Sequence, residues 1–304
     1  KGSAFGSAVY NAGLETDKLF CDDVQELGLN LGGVPKKVVH LTAGDEHRKN
    51  FSLTNINSSL AAGVGLELTL PGVHSDIGGS YAEAGQGASN LEKRLIPNEV
   101  ERRRLVAAGW YTDGSPGPDG KPTPNQFVPV KPDHYVNKHE FSVFGHTVHT
   151  PASGSDPAPT WYGVRRLPAD YQFVTLQIMH EFATCGGKHE ALDLGSFVDR
   201  RFAAYRVPPA LASVSHYLLS RALALDGART RQVLTFLNPL LTKWLRNRYL
   251  HRSAEEDSIG MEARKDFING HFSSDRLIIP DDNPHFVPPS QVEAAYRAAG
   301  YHPY

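Results

Sequence analysis

His74 and Asp76 lie on a stretch suited to acid–base chemistry: Glu67-Leu68-Thr69-Leu70-Pro71-Gly72-Val73-His74-Ser75-Asp76-Ile77-Gly78-Gly79-Ser80-Tyr81. An apolar strand runs into Pro-Gly, one histidine follows, and a glycine pair closes the turn. A strand that hands a lone imidazole to a tight loop presents a general base at the mouth of a sheet. There the ring can take and return a proton near neutral pH. Gly72, Gly78 and Gly79 would brace that loop. The same residues admit a plainer reading, in which Asp76 caps the next segment and His74 is an ordinary exposed side chain.

The second charged group is Asp45-Glu46-His47-Arg48, after another strand candidate. Its side chains, Asp45 and Arg48 among them, either orient the site or bind a head group. Alternatively, Glu46 and Arg48 form a salt-bridged brace. A nucleophile is harder to find. A Gly-x-Ser-x-Gly elbow belongs on a sharp strand-to-helix turn, and no such pentapeptide occurs. Ser80 is the nearest imitation, but it follows His74 on the same turn and reads as a decoy. Fourteen histidines include no His-Glu-x-x-His, and no Cys-x-x-Cys occurs. A metal reading would therefore join His74 and Asp76 to His40 or His47, at spacings that diagnose nothing.

These groups need elements to hold them. Helical periodicity over 14–31 precedes a β-branched strand candidate at 35–42. The charged run at 45–51 reads as a turn or short helix, and the alternation at 66–70 as a second strand. The carboxyl ends of both strands feed polar loops, so the two are expected side by side and parallel in one sheet. The middle reads as loop-rich. A helix runs from 97 to 108, an exposed connection from 109 to 126, one or two strands lie within 128–148, and a Pro/Gly/Ser stretch covers 151–159. Helices are expected at 171–183, from Pro208 to Leu225, from Thr230 to Leu250 with a kink or split at Pro239, and at 289–299. Leu277 to Pro280 is a short apolar run. Around Thr242–Arg252, Trp244, Arg246, Arg248 and Tyr249 combine aromatic and basic chemistry. That suits either a shallow membrane contact or a core-facing helix with a wet basic side.

The 304 residues suffice for one large domain or two modest ones. The formal net charge is −2, with a pI near 6.7. No basic field gathers nucleic acid, which is not expected as a partner. Cys21 and Cys185 cannot form a disulfide framework. No apolar run reaches the roughly 18–20 residues of a membrane span.

Two blocks carry a family resemblance: Val39-His40-Leu41-Thr42-Ala43-Gly44-Asp45-Glu46-His47-Arg48-Lys49-Asn50-Phe51, and Leu70 through Tyr81. Together they resemble the first family of type VI secretion lipase effectors, with Tyr249-Leu250-His251-Arg252-Ser253-Ala254 similar to a late family segment. The resemblance implies an α/β fold: the C-terminal part of an α/β-hydrolase sheet, followed by a mostly helical region. Residues 1–95 would carry the catalytic core, and 96–304 would complete or cap it and offer a membrane or partner surface. The family's triad histidine falls on His74, with Asp76, Asp45 and Arg48 as possible support. Its serine and aspartate would come from a missing N-terminal part of the same enzyme. The implied activity is phospholipase cleavage of glycerophospholipids by Ser-His-Asp chemistry, without a cofactor or metal. The implied partners are a target-cell membrane, a secretion spike protein and an immunity protein. The implied route runs from the bacterial cytoplasm to the target-cell periplasm. The alternatives are a non-catalytic membrane- or partner-binding fragment, and a metal-dependent hydrolase using His74 and Asp76. Residues 1–304 alone are expected not to hydrolyse phospholipid. Hydrolysis sensitive to a serine reagent would reveal an overlooked nucleophile.

Overall fold

The computed structural model describes residues 30–48, 51–81, 90–96, 99–113, 125–129, 139–143, 146–150, 161–184, 205–254 and 278–282. The helix expected at 14–31 (all but its last two residues), that at 289–299, the stretch at 151–159 and both cysteines lie outside them.

The first two strands form as their apolar content predicts. β1 (Val38–Ala43) and β3 (Gly65–Leu70) run parallel, from Val38 opposite Gly65 to Ala43 opposite Leu70. Between them lie β2 (Leu53–Thr54) and the short helix α1 (Asn57–Ala61). The expected pairing of the two strands is borne out. In β3, Leu66, Leu68 and Leu70 point into the core, and the intervening Glu67 is buried as well. Glu67 accepts from Ile56 N at 3.2 Å and pairs with His40 Nδ1 at 3.2 Å and with Arg231. Burial alone would raise its pKa, but the hydrogen bonds from His40 and Arg231 outweigh this and hold it below the ordinary value.

The His loop follows as α2 (His74–Gly78). β4 (Asn90–Ile96) leads to α3 (Glu99–Ala107) and β5 (Gln126–Pro129), then to the antiparallel pair β6 (His139–Val143) and β7 (His146–Thr150), and to β8 (Trp161–Leu167). β8 pairs antiparallel with both β4 and β5. Among the described residues after 95, strands therefore stand beside the helices that the sequence suggests. β4 and β8 escape a pattern reading because their charged residues face inward: Glu92 and Arg165 are 5% and 1% exposed. Arg165 Nη2 lies 2.6 Å from Glu92 Oε1, and its Nη1 donates to Arg246 O at 2.7 Å. The guanidinium sits about 5 Å from the ring centres of Trp110 and Tyr111. Those two aromatics are buried, which corrects the reading of 109–126 as an exposed connection throughout. Gly163 makes room for this cluster, because a Cβ there would meet the Tyr111 ring at 2.4 Å.

α4 (Gln172–Thr184) and α5 (Ala212–Ala224) form as expected, the latter after a 3₁₀ turn at Pro209–Leu211. The helix expected from Thr230 to Leu250 divides. Arg231–Val233 is β9, parallel to β3, and helix resumes only at α6 (Pro239–Arg248). Proline suits a first helical turn, and Asn238 caps it by accepting from Leu240 N at 2.9 Å. β10 (Ile278–Ile279) pairs parallel with β2. One apolar core joins β3, α4 and α5 to Ile96, Leu105, Trp110, Tyr111, Phe127, Leu245 and Leu250.

Arg165→Met strands the buried Glu92 carboxylate without its ion-pair partner. It is expected to lower unfolding free energy by about 3–5 kcal/mol, read from urea denaturation. A loss well under 1 kcal/mol would show that the pair holds little.

Candidate functional site

β1 and β3 end together, so their following loops lie against each other. Gly44 N donates to Leu70 O at 2.8 Å and Asp45 N to Gly72 O at 2.9 Å. Gly72 N returns a bond to Asp45 Oδ2 at 2.8 Å. Gly72 has φ +116°, and a Cβ there would meet Asp76 Cβ at 2.9 Å. The chain then turns into α2, which Gly79 ends in the left-handed conformation.

This clasp sets Glu46 beside His74. Glu46 Oε2 lies 2.7 Å from His74 Nδ1. The Glu46 side chain has no exposure, while His74 is 40% exposed. Arg48 Nε and Nη2 donate to Glu46 Oε1 and Oε2 at 3.0 and 3.2 Å, and Ser253 Oγ donates to Oε1 at 2.6 Å. Burial would raise the Glu46 pKa. The hydrogen bonds from His74, Arg48 and Ser253, with the Arg48 charge, outweigh it and hold the carboxyl well below the carboxylate range. Arg48 Nη2 also lies 2.8 Å from His74 Nδ1. On the other side of the ring, Nε2 is 3.0 Å from Ser75 Oγ. Phe51 covers the imidazole, with centroids 5.0 Å apart, and carries the Arg48 guanidinium on its face.

The remaining candidates take other posts. Asp76 is buried and braces the loop: Val73 N and His251 N donate to its Oδ2 at 3.1 and 3.0 Å, and His251 Nδ1 lies 2.8 Å from its Oδ1. Burial raises its pKa against the opposing pull of the His251 bond. Asp45 joins Gly72 to Arg246, whose Nη2 is 2.8 Å from Oδ1. Arg246 also donates to Ala108 O at 3.2 Å. It is therefore not a surface cation of a wet helix face, as the sequence reading had allowed. Trp244 and Arg248 are exposed on α6. Ser80 is exposed. His40 pairs with Glu67 between β1 and β3. His47 is half-buried, and burial first of all lowers its pKa. Among the described residues, no three His, Cys, Asp or Glu side chains converge as a metal site. No described helix is long and apolar enough to cross a membrane.

Residue-by-residue reading missed the role of the segment after α6. His251 and Ser253 reach Asp76 and Glu46 across more than 170 residues of chain. Their only signal was their place in the late block similar to the effector family.

No family model and no curated protein matches the chain. Among solved structures, the chain is similar to the Tle1 effector bound to the VgrG spike from the Type 6 secretion system. That match has 18% identity and a TM-score of 0.47, covering 81% of this chain and 50% of the other. The chain thus spans about half the length of that effector.

The Glu46 environment makes a pH prediction. Its folded pKa is depressed, so its contribution to stability is fully present above the unfolded value of about 4.3. That contribution is lost as pH falls through the folded value. Glu46→Gln removes this titration. The stability gap between wild type and variant, from urea unfolding, should be widest near neutrality and narrow steadily below about pH 4. A gap constant down to strong acid would contradict the ionised, hydrogen-bonded Glu46.

Proposed function

We propose that the chain is the C-terminal part of an α/β-hydrolase phospholipase of the type VI effector kind, and that His74 is its general base. The observation that carries the reading is His74's position. It stands half-open at the carboxyl end of the central strand of a parallel sheet, in a glycine-bounded turn, with a buried carboxylate at Nδ1. The turn lies within one of the two sequence blocks that resemble the effector lipases, and Glu46 within the other.

In this reading, a serine from outside residues 1–304 attacks the ester carbonyl of a glycerophospholipid. His74 takes the serine proton at Nε2 and delivers it to the leaving alcohol. Water repeats the sequence on the acyl-enzyme. Backbone N–H groups near the nucleophile would stabilise the oxyanion. The membrane, spike and immunity partners, and delivery into a target-cell periplasm, belong to the same proposal. So does the division into a core segment, 1–95, and a completing or capping segment, 96–304.

The test is made in the enzyme that includes its nucleophile. His74→Ala should lower turnover by several orders of magnitude, while EDTA leaves the wild type active. Loss of activity in EDTA with recovery on added zinc would replace the triad by a metal mechanism.

A further inference from the structure

We propose that the cleft between the end of β8 and the last turn of α6 binds the phosphate of an anionic phospholipid head group, held by the guanidinium groups of Arg166 and Arg248. This narrows the membrane partner of the proposed function to one site. It needs no serine and no turnover, so it stands or falls apart from the role of His74.

The cleft has a volume of about 300 Å³ and is lined by Asn125, Arg166, Pro168, Trp244, Arg248 and Tyr249. Asn125 is buried at φ +61° and ties the two walls together. Its Oδ1 accepts from Arg166 N at 3.0 Å, and its Nδ2 donates to Asn247 O at 2.6 Å. The backbones that carry Arg166 and Arg248 are thereby fastened to each other.

The cleft offers charge that nothing in the chain neutralises. Arg166 and Arg248 are both exposed. Among the described residues, neither guanidinium has a hydrogen-bond or ion-pair partner. The three arginines of α3, by contrast, hold Glu99 and Glu101, and Arg246 holds Asp45. The acid that bears on Tyr249 is Asp170. Burial alone moves the Asp170 pKa, upward, so neither arginine is its counter-ion. Burial, then Asp170, raises the Tyr249 phenol against the opposing charge of Arg248. The phenol therefore stays protonated and can donate. Arg248 also complements the C-terminal end of its helix, a role that Arg166, on a strand, does not have. Two planar forks and a phenol O–H match the oxygens of a phosphate.

The surroundings favour a lipid over a free phosphate. The volume is at the low end for ligand pockets. It admits a head group and leaves the acyl chains outside. Leu240, Trp244 and Arg248 follow at four-residue intervals along one ridge of α6. Leu240 and Trp244 are 69% and 38% exposed. The Trp244 and Tyr249 rings lie 5.2 Å apart, tilted by 50°. An outward leucine, an aromatic pair and two cations side by side suit the head-group level of a bilayer. A soluble phosphate would use the cations and leave Leu240 and Trp244 in water.

Vesicle sedimentation with residues 1–304 tests the site. Phosphatidylcholine vesicles carrying phosphatidylglycerol should bind the wild type, pure phosphatidylcholine much less, and added salt should weaken binding. Arg166→Gln with Arg248→Gln should weaken it by about tenfold to thirtyfold. Arg103→Gln with Arg221→Gln removes the same charge away from the cleft and should leave binding near normal. His74→Ala should bind as the wild type does, whatever its effect on hydrolysis. Unchanged binding in the first double variant overturns the proposal, and so does an equal loss in both, which marks a diffuse field. A wild type that ignores phosphatidylglycerol overturns it too. Displacement by glycerol 3-phosphate at concentrations equal to the lipid's assigns the cleft to a soluble phosphate ester and overturns the lipid. If the first double variant does not fold, its two single variants decide, and full binding in both overturns the proposal.

Discussion

Four carboxylates, those of Asp45, Glu46, Asp76 and Glu92, are buried around the ends of β1 and β3 and on β4. A charge taken out of water must find a partner or give up its ionisation. Each of the four takes at least one partner from residues 246–253: Arg246 on Asp45, His251 on Asp76, Arg252 N on Glu92 and Ser253 on Glu46. The segment leaving α6 is thereby fastened to the sheet at four points. The rear wall of the His loop is built from residues 246–253, far from it along the chain.

The fastening divides labour between dry and wet groups. Glu46 and Arg48 are almost wholly enclosed, whereas the imidazole they address is not. Tyr81 stacks on His251 with centroids 3.5 Å apart. Burial, and then the charges of Asp76 and Glu92, push its phenol well above the ordinary range. Tyr171 is raised by burial and by the charges of Asp76 and Asp45. Both phenols therefore stay neutral. The group behind His74 that carries the fixed negative charge is Glu46, whose partners hold it ionised.

The same constraint decides what α6 can present outward. Leu245 is fully buried, and Arg246 turns in to Asp45 and over the Trp110 ring at 5.3 Å. Leu240 and Trp244 remain on the outer side at 69% and 38% exposure. A basic stripe along this helix is not available intact, since one of its arginines is part of the clasp. Substituting Arg246 would loosen Asp45 and, through Gly72, the turn that carries His74.

The sequence by itself determined the elements whose pattern is local. The β1 and β3 runs, the Pro-Gly break before His74, the glycine-bounded turn, α3, α4 and α5 were all legible, because apolar spacing and backbone chemistry act over a few residues. The division of 230–250 by a strand was not. β9 is three exposed residues, held by its ladder with β3 rather than by its own pattern. β4 and β8 were hidden because Glu92 and Arg165 look like surface residues until they meet. The partner of His74 was hidden for the same reason. Glu46 sits in a run that reads equally well as a brace, and it is both: braced by Arg48 and Ser253, and set on Nδ1. Only tertiary structure brings residue 253 to residue 46 and residue 251 to residue 76. A buried charge is defined by what surrounds it in space, and sequence spacing carries no record of that.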